Sequence, residues 1–153
     1  MKRIQALALA ALMLISLCIY TSAADEVIIT VHDEGCTLQD DWTESTSDMV
    51  KGPTGLTSYY GTGTVTYSAE GLSSGKYDLY VYNLPVYATP DAVEAAVVHK
   101  GGSDKVILDY TANPKDWLGV GTFEFSGESG EGVTFSVLSA SSEKIQRTAA
   151  VKF

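Results

Sequence analysis

In Tyr77-Asp78-Leu79-Tyr80-Val81-Tyr82, apolar and polar side chains alternate, and this two-residue period recurs along the chain between breaks rich in Gly, Pro, Asn and Ser. An extended strand points successive side chains to opposite faces, so such a segment buries one face and shows water the other. A helix cannot use that pattern. Val27 to Val31 opens as a β-branched run, Asp41 to Thr46 is a weaker strand, and Asp48 to Gly55 reads as a loop broken by Gly52, Pro53 and Gly55. Gly63 to Ser68 and Tyr77 to Tyr82 follow, joined by a turn through Leu72 to Lys76. Ala92 to His99 and Lys105 to Tyr110 flank Gly101 and Gly102, whose tolerance of positive φ suits an antiparallel hairpin. Leu118 to Phe125, Val133 to Leu138 and a last strand near Thr148 to Phe153 complete about eight or nine strands. The expected fold is all-β: an antiparallel β-sandwich, jelly-roll-like. Ser141 to Ala150 fits a short helical turn through Glu143 and Arg147, or a loop.

The first residues differ from everything after them. Lys2 and Arg3 precede an apolar run from Ala6 to Ile19, which ends on Thr21-Ser22-Ala23-Ala24. A basic start, a short apolar stretch and small residues are the layout of a secretory signal peptide. The run is shorter than the roughly 20 residues that a membrane span requires. Cleavage is expected after Ala23 or Ala24; lipoprotein processing at Cys18 would meet the bulky Leu17. Residues 1–24 are therefore read as a signal peptide and residues 25–153 as a single β-sandwich domain, secreted or held at the cell surface.

Removing that leader leaves eight basic residues against 19 acidic ones, since Lys2 and Arg3 account for two of the chain's 10. A surface so negative repels phosphate backbones and anionic lipid, which excludes nucleic acid and polybasic membrane attachment as partners. It suits neutral glycans or cations. Cys36 then stands alone without an intramolecular partner, so packing must stabilise the domain. Its thiol is read as buried and inert, with an intermolecular disulfide as the alternative.

Several segments together resemble a known family. These are Asp41-Trp42-Thr43-Glu44-Ser45-Thr46, Tyr59-Tyr60-Gly61, Val97-Val98-His99-Lys100-Gly101-Gly102, Val106-Ile107-Leu108-Asp109, Trp117-Leu118-Gly119 with Gly121-Thr122-Phe123-Glu124-Phe125, and the closing Ala149-Ala150-Val151-Lys152-Phe153. In this order they resemble the golvesin C-terminal-like domain over nearly the whole chain beyond the leader. The resemblance implies a secreted β-sandwich module, often attached to polysaccharide lyases and other exported enzymes, with carbohydrate or cell-wall attachment as its role. Ala149 stands where the family's closing motif commonly has an acidic residue, so no role for that carboxylate carries over, and the chain shows no enzyme beside the module.

Residues able to do chemistry are few. Gly71-Leu72-Ser73-Ser74-Gly75 matches a nucleophile-elbow string, but it links two strands where an elbow needs a strand followed by a helix. His32, His99 and Cys36 lack zinc-site spacing. Asp33, Glu34, Asp40 and Asp41 offer oxygen ligands without the regularity of a calcium loop, and read as a solvated charge cluster. No metal or cofactor is expected, and no catalysis.

Binding is the better expectation, because a sugar's C–H face stacks on an aromatic plane while carboxylates and amides take its hydroxyls. The candidates are Tyr59 and Tyr60, expected in a Gly-rich loop, with Trp42, Tyr80 and Tyr82; Tyr87 and Trp117 are further aromatic candidates, Trp117 reading more readily as core than as a platform. Tyr80 and Tyr82 share one face of a strand, lining a groove or packing against the second sheet. The expected function is a secreted, non-catalytic module that binds polysaccharide or cell-surface material. The alternative is a structural protein that self-associates through strand edges.

Overall fold

The computed structural model describes residues 26–84, 92–138 and 145–153. The signal-peptide expectation, Tyr87 and the first part of the Ser141 to Ala150 segment lie outside them. Twelve strands run through the described residues: β1 (Ile28–Thr30), β2 (Cys36–Gln39), β3 (Trp42–Ser45), β4 (Ser58–Gly61), β5 (Thr64–Ser68), β6 (Gly75–Asn83), β7 (Val93–His99), β8 (Gly102–Leu108), β9 (Asp116–Phe125), β10 (Gly132–Val137), β11 (Gln146–Thr148) and β12 (Ala150–Lys152). A single 3-10 turn, Asp48–Val50, is started by the Ser47 hydroxyl accepting from the Met49 amide.

All pairings are antiparallel. A four-stranded sheet has the order β1-β12-β6-β9, a five-stranded sheet the order β2-β5-β10-β7-β8, and a small third sheet the order β11-β4-β3. The chain passes between the two large sheets from β1 to β2, β5 to β6, β6 to β7, β8 to β9 and β9 to β10, the crossing pattern of a jelly roll. The predicted β-sandwich is therefore the observed fold. The β7–β8 hairpin turns at Lys100 and Gly101 between the paired His99 and Gly102, and the Lys100 amide donates to the Glu124 carbonyl, tying the hairpin to β9.

Between the sheets lie Tyr67, Phe125, Phe135, Leu79, Val65, Val81, Val93, Val97 and Val133, all fully buried. Each large apolar side chain so placed contributes about 1.5–3 kcal/mol through water removed from it. Aromatic rings meet edge to face, as for Phe125 and Phe153 at 5.3 Å between centroids, the packing that the ring quadrupole favours. The third sheet is fixed to this core by two polar side chains. Gln146 donates through Nε2 to the Gly63 carbonyl at 2.8 Å, and the Thr148 hydroxyl meets the Tyr67 hydroxyl at 2.6 Å.

Three expectations need correction. Tyr59 and Tyr60 are not in a loop but on β4, the central strand of the third sheet. Gln146–Thr148, where a helical turn was one expectation, is a strand, and the final strand divides at Ala149 into β11 and β12. Ala149 is buried tightly: a methyl added at Gly52 would come within 3.0 Å of its Cβ, so the position suits a small apolar residue. Trp117 does not point into the core, for a reason found in β9. Its inward residues are Leu118 and Val120 before a register shift opposite Leu79 and Tyr80, then Phe123 and Phe125 beyond it. The shift is a β-bulge, and one extra residue exchanges the two faces. Trp117 and Gly119 thereby join the outer face.

Candidate functional site

The outer face of the four-stranded sheet gathers the exposed ends of β6, β9 and β12. Tyr77, Leu79 and Val81 of β6 are buried, so Tyr80 and Tyr82 point away from the core, and packing against the second sheet is ruled out for them. Across the ladder Tyr82 pairs with Trp117, and their rings meet at 5.2 Å and 73°, edge to face. Tyr80 pairs with Gly119, and a Cβ built on that glycine would lie 3.7 Å from Tyr80 Cε1, so the ring covers the space that the missing side chain leaves. Lys152 of β12 pairs with Tyr80, and its ammonium sits 4.9 Å from the Tyr80 centroid and 5.0 Å from that of Trp117. Ring quadrupoles attract a cation so placed. Glu26 holds the same ammonium at 3.2 Å, and the Tyr82 hydroxyl donates to the Lys115 carbonyl at 3.2 Å, so the cluster is anchored. A shallow groove of about 330 Å³ runs beside Tyr80, with Glu26, Lys76, Asp78 and Lys152 along it.

The other aromatic candidates are arranged differently. Tyr59 faces Thr148 and Glu44 across the third sheet, and its ring lies 5.7 Å from His32. Tyr60 faces Arg147 and Thr43, with the guanidinium 5.3 Å from its centroid. As neighbours on one strand the two rings project to opposite faces. Burial lowers the Arg147 pKa while the Tyr60 hydroxyl raises it, and Nη1 donates to the Ser58 hydroxyl at 2.9 Å. Trp42 packs on the core, and its indole N–H is shared between the carbonyls of Gln39 at 3.0 Å and Thr64 at 3.1 Å. That leaves the Trp42 donor fully occupied within the fold.

A family model described as the Golvesin C-terminal domain matches residues 27–153. The chain belongs to that family. The structure of a Paenibacillus xanthan lyase is similar to this chain, with a TM-score of 0.71 at 22% identity over 83% of this chain and 12% of that chain. At this identity the likeness is one of fold, and this golvesin C-terminal domain spans only a small fraction of that enzyme's length. No match was found among curated protein sequences.

Within this golvesin domain several of the groups able to do chemistry make structural contacts. Ser73 lies in the connection from β5 to β6, where its carbonyl accepts from the Tyr77 hydroxyl at 2.7 Å. His32 Nε2 lies 3.0 Å from the Thr57 carbonyl and 3.1 Å from the Thr57 hydroxyl, which donates onward to Glu44. A carbonyl only accepts, so Nε2 carries the proton and is no base toward that hydroxyl. His99 accepts from the Gly101 amide at Nδ1 and meets Asp104 at 3.0 Å through Nε2. Of the acidic cluster, Asp33 accepts from the Thr30 amide and hydroxyl at 2.7 and 2.9 Å, capping the turn after β1. Among the described residues no three His, Cys, Asp or Glu side chains gather as metal ligands would. Burial pushes the Cys36 thiol up to about 12, against a hydrogen bond with Tyr67, leaving it protonated and a weak nucleophile. No described helix is long and apolar enough to cross a membrane.

The sequence did not single out Lys152 or Gly119. Their signal was positional: both lie opposite Tyr80, but only the register reveals it.

Proposed function

We propose that this golvesin C-terminal domain is an exported, non-catalytic module that binds polysaccharide or cell-surface glycan, laying sugar rings over Tyr80, Tyr82 and Trp117. One observation carries the reading: three aromatic side chains turn outward on one sheet face, beside a groove that supplies carboxylates and ammonium groups. Aromatic planes accept the C–H faces of sugars, and the groove's charged groups are suited to hydroxyls. The basic, apolar leader supports export. Likeness to part of a xanthan lyase, a polysaccharide-processing enzyme, supports the ligand class.

Self-assembly through strand edges has weaker support. β8, an edge of the five-stranded sheet, carries Asp104 and Lys105 at its centre. Centring two copies of this edge antiparallel on either residue sets Asp104 against Asp104 or Lys105 against Lys105, and like charges so placed repel. The protonated Cys36 thiol also disfavours a covalent link. Affinity electrophoresis in gels containing insoluble or soluble polysaccharides tests the proposal. Retardation of the wild type that Tyr80→Ala and Trp117→Ala remove is expected; migration unaffected by every polymer contradicts it.

A further inference from the structure

We infer that the outer aromatic face takes a run of several sugar units laid along β6, and not a single sugar, an inference that rests on the binding role proposed above. Lys76, Asp78, Tyr80 and Tyr82 point outward from alternate positions of β6. Alternate residues of a strand lie roughly 6.7 Å apart, so this row extends about 20 Å from Lys76 to Tyr82. Its two ends differ in chemistry. At one end Tyr82 meets Trp117 edge to face, with Tyr80 next in the row. At the other, Asp78 accepts from the Thr122 hydroxyl at 2.6 Å through Oδ1, which leaves Oδ2 for a further donor, and Lys76 is exposed. Among the described residues Lys76 makes no ion pair, and the Glu124 carboxylate opposite it is held by Lys100 at 2.6 Å. Between the ends Gly119 stands across from Tyr80, so β9 raises no side chain over the row there.

A sugar unit is comparable in breadth to one tyrosine ring, so a single unit stacked on Tyr80 or Trp117 does not reach Lys76. The polar end alone is a weak site, since its hydrogen bonds replace similar ones to water. Linked units change that. Once one unit rests on a ring, its neighbours are held near Asp78 and Lys76 at high effective concentration, where the carboxylate accepts from their hydroxyls and the ammonium donates to them. The aromatic end supplies contact area, and the polar end adds hydrogen bonds that a short oligosaccharide leaves unmade.

The test is calorimetric titration of the full domain with oligosaccharides of one to six units, prepared from each polymer that retards it in the gel. Affinity should rise about tenfold between the disaccharide and the tetrasaccharide and then level off. The double variant Lys76→Ala, Asp78→Ala, both at exposed positions, should weaken the hexasaccharide about tenfold and leave the disaccharide unchanged, whereas Tyr80→Ala should weaken every length. A disaccharide bound as tightly as the hexasaccharide, or a length dependence that the double variant preserves, overturns the inference and leaves the binding role standing. If no polymer retards the domain, the binding role itself falls, and the inference with it.

Discussion

Two pairs of tyrosines in this molecule look alike as text and differ in space. Tyr80 and Tyr82 are two residues apart on β6, so both turn outward and meet Trp117 and Lys152 on one face. Tyr59 and Tyr60 are adjacent on β4, so one meets His32 on one side of the third sheet and the other meets Arg147 on the opposite side. Of these two pairs, the first sets both rings on one surface and the second does not. The second pair is built into the connection between the third sheet and the core, beside Thr148, whose hydroxyl reaches Tyr67. Aromatic content alone does not mark a platform; spacing on a strand does.

The contrast can be broken most severely at Trp42, which belongs to the structural region. Trp42→Ala removes a ring packed on the core and frees the Gln39 and Thr64 carbonyls, and should cost about 3 kcal/mol in urea denaturation with the slope unchanged. The fraction that remains folded should still bind polysaccharide. Next comes Gly121, which adopts φ 153° at the bulge, where an added Cβ would lie 3.0 Å from the Phe123 ring. Gly121→Ala should lose about 2 kcal/mol and alter the near-ultraviolet dichroism of the neighbouring aromatic cluster, since the bulge aims Trp117 outward. Tyr80→Ala should weaken polysaccharide binding about tenfold, equivalent to about 1.4 kcal/mol, with little change in stability, whereas Tyr59→Ala should leave binding intact.

A control outside both regions gives the smallest effect. Burial acts to raise the Glu131 pKa, but the amide and hydroxyl of Ser126 with the amides of Gly127 and Glu128 outweigh it and hold the carboxyl below its ordinary 4.5. The folded state therefore takes up this proton at lower pH than the unfolded chain does. Its stabilisation is complete above about pH 4.5 and is lost as the pH falls below that value. Glu131→Gln should cost about 1 kcal/mol at neutral pH, and its denaturation midpoint should depend less on pH between 3 and 5 than that of the wild type.

Much of the fold was legible because period-two patterns are local. β5, β6, β7 and β10 stand close to where alternation places them. The departures each have a physical source. The glycines around Tyr59 and Tyr60 read as loop, yet Gly61, like Gly63 after it, serves close approach of the backbone: a Cβ at either would lie 2.0 Å from the carbonyl oxygen of Asp41 or Gln39. β2 carries too few apolar residues, Cys36 and Leu38, for alternation to declare it. Trp117 reads as core because large aromatic side chains are mostly buried, and strict alternation would agree by putting it on the face of Phe123 and Phe125; one bulged residue turns it outward instead. A bulge leaves no reliable mark in a single sequence beyond a glycine able to hold it. The ring cluster was thus half visible: Tyr80 and Tyr82 from spacing, Trp117 and Lys152 only from register.

The most direct test is a crystal structure of residues 25–153 with a neutral oligosaccharide bound. Sugar rings resting on Tyr80, Tyr82 and Trp117, with hydroxyls toward Glu26 and Asp78, are the expected result. Sugar seated instead on the third sheet against Tyr59 or Tyr60, with the outer face of the four-stranded sheet bare, would contradict the account.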